Sequence, residues 1–380
     1  MPEEEKRRKY LGMLRETTDY SVHRHEKLLR HVFVVARDSD TSVADAVEDR
    51  EAAEDAVRWI HRNYDNEETN RDYRVALRML GRHTTEGDDI PDTMSWISAG
   101  TPTDYNPTPN PGDMITREEM ERLVDAARNP RDAALVSVAW DSGCRSGEFR
   151  DLTVGDVSDH DHGLQIHVDG KTGERAVTLI PSAPYLRQWL NFHPGSDDPD
   201  APLWSKLDEP EACSFNNLSK ALRRLKRDTE HFDKPVNLTN FRKSRASDLA
   251  SRGMSQAHLE DRMGWVRGSD AASRYISVFA DAASREFARL EGVDVEEEKD
   301  EVEGPQVCPR CDKETPRHEN VCVWCGQALD PVAAETLDSA EDALFDHVIE
   351  ADDDLVEDLR ALKERLDDPA VRALLARDGD

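Results

Sequence analysis

The chain of 380 residues carries 50 Lys+Arg against 80 Asp+Glu, a formal charge of −30, with 37% hydrophobic and 34% charged residues. This size suggests two or three folding units, and the apolar content, though low, exceeds that of a disordered chain. No apolar run approaches the roughly 18 residues of a membrane span, and the opening MPEEEKRRKY lacks a signal-peptide core, so a cytoplasmic protein with no membrane partner is expected.

The charge pattern is particular. Only 12 of the basic residues are lysine, and Asp and Glu stand on nearly every helix face. Such a carboxylate surface suits molar salt, where repulsion is screened within about 3 Å. Under that reading the net charge does not exclude a polyanionic partner.

Residues 1–85 read as helices only, from apolar residues at helical spacing: Leu28, Leu29, Val32 and Val35, then Ala52, Ala56, Trp59 and Ile60, then Tyr73, Ala76, Leu77 and Leu80. Residues 86–113 are Pro-rich with Thr, Asp, Asn and Gly, and are expected to be a linker. Thr116 opens a helix with Glu118 and Glu119 in its first turn. Two helices joined at Ser142-Gly143 follow, between Leu135 and Leu152. The period then changes. Leu164, Ile166 and Val168 alternate, Gly170-Lys171-Thr172-Gly173 makes a turn, and Ala176–Ile180 alternates again, which predicts a β-hairpin with a charged tip. Helices resume at Tyr185 and run to about Leu290, so that residues 114–290 form one unit.

Within it, residues 215–253 hold ten Lys/Arg against four acids, a basic strip in an acidic chain. Lys220, Arg223, Arg224, Arg227, Lys243 and Arg245 are its candidate phosphate contacts. Residues 291–304 are an acidic linker (EGVDVEEEKDEVEG). In 305–329, Cys308-Pro309-Arg310-Cys311 and Cys322-Val323-Trp324-Cys325 offer four thiolates, the donor set of a structural zinc ribbon. A redox pair would need a βαβ context that the pattern lacks. Gly326 suits the turn of a knuckle. Residues 330–380 read as an acidic helical tail, where Leu355, Leu359, Leu362 and Leu366 form a short heptad-like stripe.

Four elements line up between these landmarks: Gly143-Cys144-Arg145-Ser146-Gly147-Glu148, the hairpin Lys171, Thr239-Asn240-Phe241-Arg242, and Gly264-Trp265 followed ten residues later by Tyr275. Their order and spacing resemble the catalytic domain of tyrosine recombinases, the phage integrase family, over roughly residues 114–285. The resemblance implies a mainly α fold: a SAM-like helical core-binding domain at 1–85, an α-rich catalytic domain with a small hairpin or sheet, and here an added zinc ribbon in a haloarchaeal type of sequence.

It also implies DNA strand cutting and rejoining through a 3′-phosphotyrosyl intermediate, the chemistry of type IB topoisomerases, on double-stranded DNA. The assembly implied is a homo-tetramer on DNA, and a monomer or dimer when free. No cofactor is expected for catalysis; zinc would be structural. Such a reaction needs a nucleophile, charge stabilisation and a proton for the leaving oxygen. By resemblance these fall to Tyr275, to Arg145 and Arg242, and to Lys171, with Trp265 donating to the phosphate. Threonine stands at 239 where the family usually has histidine; its hydroxyl can hydrogen-bond but is no base at neutral pH. The alternative implied is a catalytically weakened DNA-binding regulator or synapsis partner on the same scaffold.

Overall fold

The structure, a computed structural model, describes residues 20–84, 89–105, 108, 110–276, 287, 288, 291, 304–349 and 369. The leucine stripe at 355–366 and most of the acidic linker lie outside the described residues. The chain divides into two compact units, Met1–Pro107 and Thr108–Asp380.

The first unit is helical: α1 (Val22–Asp38), α2 (Val43–Glu48), α3 (Arg50–Asn63), α4 (Glu67–Thr84) and the single-turn α5 (Asp92–Ser95). Side chains of Ser21, Ser42 and Asp49 accept from the third backbone N–H of α1, α2 and α3, satisfying donors that a helix start leaves open. The apolar stripes meet in a core of Val35, Ala53, Ala56, Ile60, Tyr73 and Leu77.

Here the expected linker 86–113 is corrected. Met94 and Ile97 are wholly buried in this same core, with Ile90 and Trp96 packed against it, and the unit closes only at Pro107. Proline and polar neighbours conceal the apolar spacing in the sequence. Burial of these side chains, each worth roughly 1.5–3 kcal/mol, outweighs the local turn preference.

The second unit is built around α7 (Pro130–Ser142), whose residues from Ala134 to Ser142 are all buried. A helix buried on every side, its few polar residues included, belongs at the centre. Against it pack α6 (Arg117–Asp125), α9 (Ala183–Phe192), α11 (Leu238–Ser251) and a sheet edge strand. Thr116 opens α6 as its sequence predicts, and with Glu119 it forms a capping box. The sheet is antiparallel in the order β1 (Val157–His160), β2 (Gly163–Gly170), β3 (Gly173–Leu179), one strand more than the predicted hairpin. Leu164, Ile166, Val168, Val177 and Leu179 face inward. Gly170 pairs with Gly173, leaving Lys171 and Thr172 as a two-residue tip.

Short α8 (Ser146–Arg150) follows α7; α10 (Phe215–Asp228), α12 (Gln256–Met263) and α13 (Asp270–Ile276) complete the helical body. Two-residue strands β4 (Gln306–Val307) and β5 (Glu314–Thr315), then α14 (Pro331–Ile349), lie beyond. The fold is mainly helical with small sheets, as the sequence implies.

Candidate functional site

Two helices end facing each other, and their ends build a pocket. Gly143 closes α7 and Gly264 closes α12, each in the left-handed region at φ 59°, where a side chain is strained. The last carbonyls of a helix have no partner within it, and its C-terminus favours cations. Guanidinium groups occupy them. Arg242 donates to Gly143 O at 2.7 Å and Met263 O at 2.6 Å; Arg145 donates to Gly264 O at 2.6 Å; Arg175 donates to Arg262 O at 3.1 Å. Residues 145, 175 and 242, distant in sequence, thus share one set of orphan carbonyls.

Their counter-charge is one carboxylate. Glu148, at the third position of α8, accepts from Arg145 N at 2.9 Å, Arg145 Nη1 at 2.6 Å and Arg175 Nη2 at 2.7 Å. Burial pushes its carboxyl up, but these hydrogen bonds from Arg175 and Arg145 prevail and hold it down to about 2. Burial, then the Arg145 and Arg175 charges, draw Arg242 down to about 10 against the opposing pull of Glu148. Three guanidiniums face a single carboxylate, so the pocket keeps an excess of positive charge.

Around it stand the remaining candidates. Tyr275 on α13 stacks on Trp265, ring centroids 5.2 Å apart and planes 14° from parallel, and Arg242 lies 5.4 Å from the same indole. Burial raises the Tyr275 phenol, with Arg242 and Arg274 pulling the other way. Lys171 is exposed at the hairpin tip, and Thr172 beside it donates to Gly264 O at 3.0 Å. Thr239 is exposed in the first turn of α11, one helical turn before Arg242.

Sequence reasoning missed Arg175, although a signal was present. Arg175 has the same strand parity as inward-facing Val177 and Leu179, so a charge there marks a polar partner inside. It also missed Asp141. This buried carboxylate accepts from Ile180 N, Ser182 Oγ, Arg245 and Arg262, fixing the sheet end and two helices to α7.

The basic strip divides. Lys220, Arg223, Arg227 and Lys243 are exposed on α10 and α11. Arg224 pairs with buried Asp132. Arg245 is a correction to the phosphate-contact reading: its side chain is 8% exposed, ion-paired with Asp141 and Asp248, and laid on Trp140 at 4.4 Å. A buried charge stays buried only with such partners.

The four ribbon cysteines converge, their Sγ atoms all within 4.8 Å of one another. Both knuckles have one geometry. Arg310 N and Trp324 N donate to Cys308 Sγ and Cys322 Sγ at 3.4 Å; Asp312 N and Gly326 N donate to Cys308 O and Cys322 O at 3.0 Å. Gly326 adopts φ 69°, as its position suggested, and Asp312 takes the matching place at φ 56°. Thr315 Oγ1 and the backbone N–H of Trp324 and Cys325 draw the Cys322 thiol down against the effect of burial. This donor set fits a tetrahedral metal ion, for which the four cysteines would leave no open position.

The ribbon is seated on α6 and α9. Arg187 pairs with Glu314 at 2.6 Å, and Gln188 donates to Val323 O at 2.8 Å. His318 places Nδ1 3.3 Å from Glu121 and Nε2 2.9 Å from the Tyr185 hydroxyl. Burial disfavours its charge, but Glu121, Glu319 and Asp125 outweigh burial and raise its basicity.

Comparison with known proteins finds relatives for the segment that holds the arginine pocket. Residues 113–281 match the model of the phage integrase family, a span that holds all six candidate catalytic residues. A tyrosine recombinase of Synechocystis sp., slr0733, is 34% identical over 85 residues, 22% of this chain and only 27% of that relative's length. A lambda integrase tetramer bound to a Holliday junction has a similar fold, with a TM-score of 0.54 at 15% identity over 70% of this chain and 75% of that one. The Tn1549 transposon integrase, in complex with transposon right end DNA, gives 0.52 at 16% identity over 74% and 98%. Residues 113–281 thus resemble the phage integrase family, and the fold is similar to those of these integrases.

Proposed function

We propose that the chain is a site-specific DNA recombinase that cuts and rejoins strands through a 3′-phosphotyrosyl intermediate. The observation carrying this reading is the pocket's charge: three guanidiniums, one carboxylate, and a tyrosine and a lysine at its edge. Arg145 and Arg242 bind the non-bridging phosphate oxygens and stabilise the negative charge that builds as five oxygens crowd the phosphorus. Tyr275 Oη attacks, Lys171 protonates the departing 5′-oxygen, and Trp265 donates its indole N–H to the phosphate. Two backbone carbonyls already hold Arg242 in place, so little reorganisation remains for the reaction to drive.

Lys220, Arg223, Arg227 and Lys243 track the backbone of double-stranded DNA, and a homo-tetramer assembles on it. The carboxylate-rich exterior adapts this binding to molar salt in a cytoplasm of that composition. Zinc, on Cys308, Cys311, Cys322 and Cys325, supports the ribbon and takes no part in the chemistry.

The test is a suicide substrate without added metal or ATP. Wild type becomes attached to the 3′ side of the break, and Tyr275→Phe loses the adduct while keeping its DNA affinity. Thr239, exposed and unable to act as a base, favours a second reading: a catalytically weakened DNA-binding regulator. Absence of an adduct in wild type at high salt, with DNA still bound, selects it.

A further inference from the structure

The Gly264 carbonyl serves two masters, accepting from Arg145 Nη2 at 2.6 Å and from Thr172 Oγ1 at 3.0 Å. One acceptor therefore joins the pocket to the hairpin tip. That acceptor is itself closely packed. Arg175 lies directly beneath Gly264, where a Cβ would come 2.7 Å from its Nη1, and Arg175 is fixed in turn by Arg262 O and Glu148. Arg175 Nη1 is buried without a hydrogen-bond partner among the described residues, so the guanidinium fills this space through its fit beneath Gly264 and not through a bond from that nitrogen.

Lys171, the neighbour of Thr172, has no such support. It is exposed in a tip bounded by two glycines, Gly170 and Gly173, the latter at φ 101°. Glycine at both ends gives this turn more backbone freedom than any other residue pair would. An unrestrained lysine there distributes its ammonium over many rotamers, yet proton transfer requires heavy atoms within roughly 2.6–3.2 Å.

We propose that Thr172 is a positioning residue: its hydroxyl latches the hairpin tip to Gly264 and so directs Lys171 to the phosphate that Arg145 grips. This rests on the phosphotyrosyl reading above. In the step concerned, the Tyr275 Oη–phosphorus bond forms and the 5′-oxygen–phosphorus bond breaks. The phenolic proton passes to water, and the Lys171 ammonium gives its proton to the leaving oxygen, so charge and atoms balance.

The experiment compares full-length wild type, Thr172→Val and Thr172→Ser on two suicide substrates, one with the ordinary 5′-oxygen and one with sulfur at that position. Sulfur leaves without a proton, so its departure does not depend on Lys171. Thr172→Val is expected to cleave the oxygen substrate about 10-fold to 10²-fold more slowly, the cost of roughly 1 Å of misplacement. On the sulfur substrate it is expected to match wild type, with DNA affinity unchanged, and Thr172→Ser is expected to recover the oxygen rate. A purely structural role, or one exerted through Arg145, slows both substrates alike and overturns the proposal, as does a Thr172→Val rate equal to wild type on both. A wild type unreactive on both substrates overturns the phosphotyrosyl reading and the latch together.

Discussion

The arginine pocket and the cysteine ribbon solve opposite problems with the same material. In the pocket, carbonyls left open at the ends of α7 and α12 hold guanidiniums. In the ribbon, N–H groups left open at two tight turns hold sulfurs. Each site uses unpaired backbone groups to gather like charges that would repel one another in water. Neither neutralises what it gathers: the pocket keeps a positive excess over Glu148, and four thiolates would carry a fourfold negative charge. The pocket therefore suits an anion with several oxygens, the ribbon a small cation. The two sites share no residue, so each can hold its own kind of charge independently of the other.

The comparison breaks most visibly at Arg242. Arg242→Ala removes a side chain that bridges both helix ends, and cleavage in a suicide-substrate assay should fall at least 10²-fold, the scale of losing one transition-state donor. A smaller loss would mean the helix ends alone organise the pocket. On the ribbon side, purified protein should contain about one zinc per chain by elemental analysis, and Cys322→Ser or chelation should release it and unfold residues 305–329. A ribbon that keeps its proteolysis resistance after chelation would show that the N–H donors suffice without metal.

Two smaller effects sharpen the pocket's side. Arg245→Ala takes from buried Asp141 one of its two arginine partners, leaving Arg262, and should cost roughly 1.5–3 kcal/mol in denaturant unfolding. Lys220→Glu with Arg223→Glu should instead leave stability alone and weaken DNA binding, visible as a shallower salt dependence. Equal effects of the two sets on DNA affinity would return Arg245 to the phosphate face. The smallest expected effect is on acid stability. Glu148 is held down to about 2 from an ordinary 4.5. A carboxylate depressed by folding stabilises above its unfolded value and loses that contribution as pH falls through the folded one. The contribution of Glu148 is thus present above about pH 4.5 and declines towards pH 2, so Glu148→Gln should lower Tm at neutral pH and flatten the acid limb of a Tm–pH curve between those values.

Local signals carried far in this chain. The hairpin was legible because alternation on both sides of a Gly-bounded pair leaves one register, and the knuckles because CxxC spacing dictates a turn. Arg145 and Arg242 were legible only through resemblance, since nothing local says that both reach neighbouring carbonyls at the end of α12. Asp141 and Arg245 lie 104 residues apart, and no pattern within either helix announces their pairing, so Arg245 reads as one more positive charge in a basic strip. Met94 and Ile97 were lost for the reverse reason: turn-forming neighbours obscured a contact that tertiary burial decides.

The seating of the ribbon on α6 and α9 has a thermodynamic corollary. If docked and metal-loaded forms favour each other, the coupling is reciprocal, because linkage between two equilibria has no preferred direction. A metal ion held by the four thiolates then raises the unfolding temperature of helices it never touches, and its own dissociation constant reports on Arg187, Gln188 and Tyr185. Through that interface, a metal held by the four thiolates would act as a ligand of the helical body on which the ribbon sits.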